Sequence, residues 1–343
     1  MEQRGRARLK DVAASVGLSS ATVSIILNEA SDRFPPATVQ RVREAAATLG
    51  YTPNVAARSL RTNSTRTLGV LTDNILTSPS GYDMVQGLQD AAWDRDYVLL
   101  FVGTEGDPTQ QTKAIAELLA RQVDGMLVGA MYHRLLDAGR LPGAVPTVGF
   151  NAVLDGVGSF VPDDVQAGRL ATQILLEHGH RRIAHITEYP TDGLARDQRV
   201  EGFQAALREA GLPPGRVIDP GPEHPASASE SAEGLALPLL DAPDRPTAIF
   251  TFNDLDAVGV FRATQRLGLR IPDDVSVISI DNRENVAEEL RPGLTTLALP
   301  HYELGRRATD RLLDAIDGGT PIPTDVVKVP FTVVSRGSVG VRA

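Results

Sequence analysis

Residues 9–28 read LKDVAASVGLSSATVSIILN, and they predict two short helices joined by a tight turn. In the first half, apolar residues recur at the spacing of one helical face, and Gly17 is placed to end that helix. Ser19 suits the N-cap of the second helix, because its hydroxyl can accept a hydrogen bond from the first helical turn. This helix–turn–helix spacing is typical of DNA-binding proteins, although small three-helix bundles share it. The spacing alone leaves both interpretations open.

Helical patterns continue beyond this stretch and then stop at a polar segment. A third helix is predicted to begin at two successive prolines and to end at Gly50, and a fourth short helix follows. Residues 61–66, RTNSTR, are polar and without periodicity, which indicates a linker. We therefore place a helical domain at residues 1–52 and a short helix with its linker at residues 53–66.

The charge of the chain is divided unevenly. Residues 1–63 hold nine Lys or Arg and five Asp or Glu, a formal charge of +4, whereas the other 280 residues carry 25 basic and 38 acidic side chains, or −13. A polyanion is attracted to the first segment and repelled by the rest. A solvated basic arm would show the same pattern, so the charge by itself does not choose between the two.

From residue 67 onward, short apolar runs alternate with amphipathic helical patterns. The predicted strands are 68–72, 98–102, 125–129, 146–150, 182–187, 248–252 and 275–280. The predicted helices include 198–210, 231–240, 254–267 and 302–317, and a short strand pair is expected near 326–334. Two consecutive strand–helix series predict two parallel sheets, one in each of two lobes. We expect the lobes to comprise residues 67–163 with 300–322, and residues 164–299 with 323–343.

Several classes of protein are excluded or disfavoured. The chain has no cysteine, which excludes disulfides, thiolate metal sites and cysteine nucleophiles. It also lacks a run that could span a bilayer and the apolar core of a secretory signal, so we expect a soluble, cytoplasmic protein. No GxSxG, GxxxxGK or HExxH motif occurs, and no cofactor is expected. The spacing of His178, His180 and His185 does not favour a metal site.

Specific residues of the helical segment match a known family. The matching stretches are Leu9-Lys10-Asp11-Val12-Ala13, Gly17-Leu18-Ser19, Ala21-Thr22-Val23-Ser24, Leu27-Asn28 and Leu49-Gly50-Tyr51-Thr52-Pro53-Asn54. They resemble the headpiece of the LacI/GalR family of transcription regulators. The resemblance implies an all-α helix-turn-helix headpiece followed by a hinge helix.

The resemblance extends over nearly the whole chain. Six further stretches follow the family's order: Gly179-His180-Arg181-Arg182-Ile183, Arg199-Val200-Glu201-Gly202-Phe203, Phe252-Asn253-Asp254, Ile280-Asp281, Pro292-Gly293-Leu294-Thr295-Thr296 and Arg336-Gly337-Ser338. They imply that residues 67–343 form a two-lobed α/β effector domain like a periplasmic binding protein, with two parallel sheets.

By family position, DNA contacts are expected from the second helix and from the hinge. The candidate residues are Ser20, Ala21, Thr22, Ser24, Ile25, Asn28, Asn54, Ala57, Arg58 and Leu60. Ile25 stands where the family usually has arginine, so the strong contact of arginine with guanine is absent, and Ile25 either touches a thymine methyl or packs. Leu60 matches the leucine that enters the minor groove, although simple helix packing would also explain it. A hinge helix this short is unstable alone and can fold on DNA.

Effector contacts are expected at the cleft between the lobes, where open α/β sheets bind ligands. The candidates by family position are Asp73, Asn151, Asp163, Arg199, Asn253, Asp281 and Leu299. Arg199 offers five donors and Asp281 only accepts, so together they fit vicinal hydroxyls. The alternative is that these two form a salt bridge between the lobes. Leu299 stands where several sugar-binding members have glutamine.

The sequence therefore predicts a sequence-specific transcription regulator, most simply a repressor. It is expected to bind near-palindromic operator DNA as a homodimer and to respond to a small polar effector such as a sugar, with nucleosides left open. An exported solute-binding transport protein of the same lobe fold is the alternative, and it lacks support because no signal peptide is evident. An enzyme on the same lobes is disfavoured because no catalytic motif occurs.

Overall fold

The computed structural model describes residues 7–28, 33–52, 59, 64–137, 141, 143, 145–188, 193–221 and 227–342 of the 343-residue chain. Two compact units are present. The helical unit comprises Met1–Thr67 with Gln122–Asp124, and the two-sheet unit comprises Leu68–Arg121 with Gly125–Ala343.

The helical unit contains three described helices, as predicted. They are α1 (Leu9–Val16), α2 (Ser20–Asn28) and α3 (Pro36–Leu49). Gly17 and Gly50 end α1 and α3 with φ angles of 69° and 65°, a left-handed conformation that glycine adopts without strain. The apolar faces meet in a small core of Val12, Ala13, Val23, Ile26, Val39, Val42 and Ala46. Of the predicted hinge helix at 55–60, only Ser59 belongs to the described residues.

The first lobe of the two-sheet unit is built on a six-stranded sheet. Its strands are β1 (Thr67–Thr72), β2 (Val98–Gly103), β3 (Gly125–Leu136), β4 (Thr147–Leu154), β5 (Ser159–Pro162) and β11 (Val326–Val329), in the order β11-β5-β4-β3-β1-β2. Its helices are α4 (Tyr82–Trp93), α5 (Pro108–Ala120) and α11 (His301–Gly318). Helix α11 packs closely on α4, because a Cβ at Gly87 would lie 2.0 Å from the Tyr302 carbonyl oxygen.

The second lobe is built on a sheet of the same size. Its strands are β6 (Ile183–Ile186), β7 (Arg216–Ile218), β8 (Ala248–Thr251), β9 (Ser276–Asp281), β10 (Thr295–Ala298) and β12 (Thr332–Val334), in the order β12-β10-β9-β8-β6-β7. Its helices are α6 (Asp164–Glu177), α7 (Leu194–Glu209), α8 (Ala228–Asp241), α9 (Asp254–Arg266) and the short α10 (Glu284–Ala287). Strands β10 and β12 are antiparallel, and the other registered pairs of both sheets are parallel. The prediction of two parallel-rich sheets is thus confirmed.

The last two strands correct the expected lobe boundary. The sequence predicts that residues 323–343 belong to the second lobe and that they include a strand pair near 326–334. Instead β11 pairs in parallel with β5 of the first lobe, and β12 pairs with β10 of the second. The chain thus crosses between the lobes at this point. An apolar run shows that a strand forms, but its partner depends on residues far away in sequence.

Candidate functional site

Helix α2 presents a polar face to solvent. Ser20 and Ala21 in its first turn are exposed, whereas Val23 and Ile26 face the core. Ser19 is the N-cap, as predicted, because its Oγ accepts a hydrogen bond from the Thr22 amide at 3.0 Å. The Thr22 hydroxyl itself lies 2.8 Å from the same Ser19 oxygen.

The other predicted DNA contacts fall into two groups. Ser24 and Ile25 are half-buried on α2, and Ile25 is outside the core cluster of the helical unit. The Asn28 side chain lies outside the described residues, and so do Asn54, Ala57, Arg58 and Leu60. Five basic residues of the helical unit are exposed, namely Arg8, Lys10, Arg33, Arg41 and Arg43. This distribution fits attraction to a phosphate backbone.

The end of the linker is held by one carboxylate. Asp124 accepts hydrogen bonds from Ser64 Oγ at 2.5 Å, the Thr65 amide at 2.8 Å and the Arg66 amide at 2.9 Å. The Thr65 hydroxyl donates to the same carboxylate at 2.9 Å. Residues 64–66, which the sequence predicts only as a polar linker, therefore have a defined conformation.

A cavity of about 160 Å³ lies where the carboxyl ends of strands from both lobes meet. The first lobe contributes Ser80, Met131, Tyr132, His133, Asn151, Pro162 and His301. The second lobe contributes Asp164, Glu188, Ala195, Arg199, Ala228, Phe252, Asn253, Leu255, Asp281, Arg283 and Leu299. A wider opening of about 550 Å³ shares part of this wall, including Asp281 and His301. This position, outside the carboxyl ends of parallel strands, is the one that open α/β sheets use for ligands.

Arg199 is fixed in the wall by several contacts. It lies on α7 and is only 4% exposed. Its Nε donates to Asp164 Oδ1 at 2.8 Å and its Nη1 donates to the Phe252 carbonyl at 2.7 Å. Its guanidinium also lies over the Phe252 ring, 4.3 Å from the centroid. A Cβ at Gly168 would lie 2.1 Å from the Arg199 carbonyl oxygen, so this glycine lets α6 and α7 approach closely enough for the pair to form.

Asp164 joins Arg199 to the other lobe. Its Oδ2 is 2.8 Å from His133 Nδ1, which lies on β3, and both side chains are buried. Burial acts to raise the pKa of Asp164, but the charge of Arg199 and the hydrogen bond with His133 hold it below its ordinary value. The carboxylate is therefore ionised and accepts, so His133 Nδ1 is the donor. His133 Nε2 is buried and has no hydrogen-bond partner among the described residues.

Sequence reasoning missed Asp164 and His133. It selected the neighbouring Asp163, which instead caps α6 by accepting a hydrogen bond from the Gln166 amide at 3.2 Å. Asp163 and Asp73 are not among the residues that line the cavity. His133 could have been found by its place, because it is a polar residue just after the apolar run of a predicted strand. Asp164 could not, because nothing in the local sequence distinguishes it from Asp163.

Asp73 has a supporting position at the end of β1. Its carboxylate accepts hydrogen bonds from the Met131 amide and from Arg134 Nη2, each at 2.9 Å. These contacts tie the end of β1 to β3 on both sides of His133. Asp73 therefore helps to hold the part of β3 that carries lining residues, although it does not itself line the cavity.

Asp281 lies at the end of β9 and is paired with a near neighbour. Its Oδ2 accepts a hydrogen bond from Arg283 Nε at 2.8 Å. Burial raises its pKa, and the charge of Arg283 opposes that rise. The alternative in which Arg199 and Asp281 close a salt bridge between the lobes is not found. Both residues belong to the second lobe, and each has a different ionic partner.

Two amides complete the polar wall. Asn151 donates through Nδ2 to the Ala130 and Met131 carbonyls, each at 2.9 Å, which turns its amide oxygen away from them. Asn253 caps α9 and also donates to Glu188 Oε1 at 3.2 Å. Burial raises the pKa of Glu188 above its ordinary value. Leu299 lines the cavity as an apolar side chain.

Further buried acids and histidines of the second lobe are not among the residues that line the cavity. Burial, with the charge of Asp281, raises the pKa of Asp254 to about 7. His185 stacks on Phe250 with 4.1 Å between ring centroids, and burial lowers its pKa to about 3. His180 contacts Thr247 Oγ1 at 3.0 Å. In the described part of the chain, no group of three or more His, Cys, Asp or Glu has the arrangement of a metal site.

The helical unit and the cleft have known counterparts. Residues 8–54 match the model described as "Bacterial regulatory proteins, lacI family", and residues 172–339 match the "Periplasmic binding protein-like domain". The ribose operon repressor of Escherichia coli (strain K12) is 36% identical over 339 residues, which cover 97% of this chain and 99% of that protein. This chain belongs to the LacI family. It is a sequence-specific DNA-binding transcription regulator.

Solved structures of transcription regulators have a similar fold. The lac repressor dimer bound to operator and the anti-inducer ONPF has a TM-score of 0.77 and 25% identity, with 98% of this chain and 99% of that chain covered. The transcriptional regulator CelR in complex with cellobiose has a TM-score of 0.63 and 29% identity, with coverage of 97% and 100%. Among the residues that the structure describes, no single helix is long and apolar enough to cross a membrane, and α1 and α2 reach that threshold only as a bent pair.

Proposed function

We propose that this LacI-family regulator is a homodimeric repressor whose operator affinity is controlled by a carbohydrate bound in the cleft. Acting on chromosomal DNA, it would work in the cytoplasm and not as an enzyme. A near-palindromic operator requires a two-fold protein, and the similar lac repressor is a dimer on its operator. The ribose operon repressor and the CelR–cellobiose complex support a sugar as the class of effector.

The observation that carries the proposal is a hydrogen-bonded chain across the cleft. Arg199 contacts Asp164 in the second lobe, and Asp164 contacts His133 in the first. A ligand alters DNA affinity only if it binds two lobe arrangements differently, and coupling of this kind is typically about 1–3 kcal/mol. Polar groups from both lobes line one small cavity, and they can all contact a ligand only when the lobes are closed. The closed arrangement would therefore bind the ligand more tightly than an open one.

A titration of operator affinity tests the proposal. The full chain is bound to DNA from upstream of its own gene, and fluorescence anisotropy is recorded with and without each member of a panel of sugars and nucleosides. At least one sugar is expected to change the affinity about 5- to 150-fold. If no sugar changes the operator affinity and a nucleoside does, the effector is a nucleoside and not a carbohydrate.

A variant of the cleft sharpens the assay. Asp281→Asn keeps the size of the side chain but removes its charge, so we expect operator binding without ligand to stay near wild type while the ligand response falls. Asp273→Asn is the matched control, since Asp273 is an exposed partner of Arg270 and is not among the cavity residues. If Asp281→Asn and Asp273→Asn responded alike, the effector site would lie elsewhere.

A further inference from the structure

The turn after β9 holds two cavity residues in an unusual backbone conformation. Asp281 and Arg283 line both the cavity and the wider opening, and Asn282 between them lines the wider opening. The φ angles of Asp281 and Asn282 are 129° and 58°. Positive φ angles are uncommon for residues other than glycine, and they persist where the surrounding structure holds them. The contacts of this turn therefore decide the position of Asp281.

Three hydrogen bonds hold the turn from three other segments of the second lobe. The Arg283 amide donates to Asp254 Oδ2 at 2.8 Å, and the Asn282 amide donates to Thr296 Oγ1 at 3.4 Å. Arg336 Nη2 donates the third, to Asn282 Oδ1 at 2.9 Å, across 54 residues of sequence. A charged donor forms a stronger hydrogen bond than a neutral one, and 3.4 Å is long for such a bond, so Arg336 makes the stronger of the two contacts with Asn282.

Arg336 is itself held in place by the protein. Its amide donates to Thr295 Oγ1 and its Nη1 donates to the Leu294 carbonyl, each at 2.9 Å. The carbon stem passes Gly293, where a Cβ would lie 3.2 Å from Arg336 Cδ. Nη2 also contacts the exposed Glu288 at 3.1 Å. The two Nη atoms thus bond different segments at the same time, which the single ammonium of a lysine cannot do.

Arg336 also lies close to the point where the chain crosses between the lobes. Strand β11 of the first lobe ends at Val329 and β12 of the second lobe begins at Thr332, so two residues join them. Arg336 is the second residue after β12. Its contact with Asn282 therefore joins the cavity wall to the segment by which the chain passes from one lobe to the other.

We propose that Arg336 is a positioning residue of the effector site, which holds Asn282 so that Asp281 and Arg283 stay at the cavity wall. Arg336 is not among the described residues that line the cavity or the wider opening, so it acts through the turn and not by contact with the ligand. The inference rests on the proposed function, in which the effector binds in this cleft. It adds a residue whose loss weakens effector binding from outside the site.

Amide hydrogen exchange on the full chain tests the contact without any ligand. Arg336→Lys keeps the charge but cannot make both Nη contacts, so residues 281–287 should exchange about threefold faster or more. Arg342→Lys is the matched control, because Arg342 is an exposed arginine of the same C-terminal segment and lines neither opening. In this control the turn should exchange as in the wild type. Wild-type exchange in Arg336→Lys overturns the inference.

Calorimetry then separates positioning from a purely structural role. The probes are D-ribose, D-glucose and cellobiose, and each sugar that binds the wild type is titrated into the variants. Arg336→Lys should bind that sugar about three- to tenfold more weakly, while Arg342→Lys should bind it as the wild type does. Unchanged sugar affinity in Arg336→Lys would make the contact structural only and overturn the inference. If no probe binds the wild type, that result counts against the sugar effector and not against Arg336, for which hydrogen exchange decides.

A double substitution tests whether Arg336 acts through Asn282. Asn282→Ala removes the acceptor, and alanine disfavours a positive φ, so this change alone should weaken sugar binding and speed exchange in the turn. Asn282→Gly also removes the acceptor but permits the conformation, so its loss should be smaller. Adding Arg336→Lys to Asn282→Ala should change little, because the contact is already absent. Additive effects of the two substitutions would show that Arg336 acts elsewhere and overturn the inference.

Discussion

Arg199 Nε lies 2.8 Å from Asp164 Oδ1, and both side chains are buried, at 5% and 0% exposure. The sequence suggests Arg199 as a hydrogen-bond donor to the ligand and Asp281 as an acceptor from the same ligand. The structure shows instead that two of the guanidinium nitrogens are used by the protein itself. Arg199 therefore has a structural role and also lines the cavity. Its substitution should affect both the stability of the protein and its response to the ligand.

Arg199→Ala is expected to destabilise the two-sheet unit and to abolish the ligand response. It leaves the buried Asp164 without its cation, which typically costs about 3–5 kcal/mol. Urea-induced unfolding measures the loss. The control is Arg216→Ala at an exposed ion pair with Asp244, where a change below about 0.5 kcal/mol is expected. If Arg199→Ala had the same free energy of unfolding as the wild type, the structural role of Arg199 would be contradicted.

Asp254→Asn is expected to stabilise the protein relative to wild type more at pH 8 than at pH 5. The native pKa of Asp254 is about 7 against an ordinary value of 3.8, so the native state holds the proton more tightly. The tighter proton binding of the native state stabilises the wild type fully below pH 3.8, and this stabilisation is lost as the pH rises through about 7. The asparagine keeps both contacts, since Nδ2 can donate to Thr296 Oγ1 while Oδ1 accepts from the Arg283 amide. Denaturant unfolding of both proteins at pH 5 and pH 8 measures the difference in their free energies of unfolding. A difference of the same size at both pH values would contradict the raised pKa of Asp254.

Ser19→Ala and Ser20→Ala are expected to separate folding from DNA recognition. Ser19→Ala removes the N-cap of α2 and should lower local stability by about 1 kcal/mol, seen as faster amide hydrogen exchange in α2 of the full chain. Ser20→Ala changes an exposed side chain, so exchange should stay near wild type while operator affinity falls. The assignment of the two serines is wrong if Ser19→Ala leaves exchange unchanged.

Leu60→Ala is expected to weaken specific operator binding by about 1–3 kcal/mol, comparable with one mismatched base pair, and to leave nonspecific binding nearly unchanged. A side chain that enters the minor groove gains energy only where the central step can open, whereas phosphate contacts act on any sequence. Competition between operator and random DNA measures the two affinities. Leu49→Ala is the control, at an exposed leucine of α3. Equal loss of both affinities would identify Leu60 as a packing residue.

Removal of residues 1–63 is expected to abolish operator binding and to leave ligand binding intact. The remaining 280 residues carry a formal charge of −13, which repels DNA. The intact chain should lose affinity with salt by roughly 0.9 log units per log unit for each phosphate contacted. Specific DNA binding by the shortened chain would show that the two-sheet unit holds its own DNA surface.

Local patterns were enough to predict much of the fold. The spacing of apolar residues and the glycines at positions 17 and 50 place α1, α2 and α3, because helix periodicity and end conformations depend on residues within one or two turns. Short apolar runs likewise predict most of the parallel strands. Strands β5, β7 and β10, with three or four residues each, are not among the predicted strands.

Residue patterns alone were sufficient to predict the family, the order of elements and several residues of the cleft, namely Asn151, Arg199, Asn253, Asp281 and Leu299. Which polar groups pair with each other depends on the folded chain. Arg199 meets Asp164 across 35 residues, and Asp164 meets His133 across 31. The strand β11 joins a sheet whose other strands lie more than 150 residues earlier. Such contacts depend on where whole lobes place their helix ends and strand ends, and a local pattern of apolar and polar residues carries no information about them.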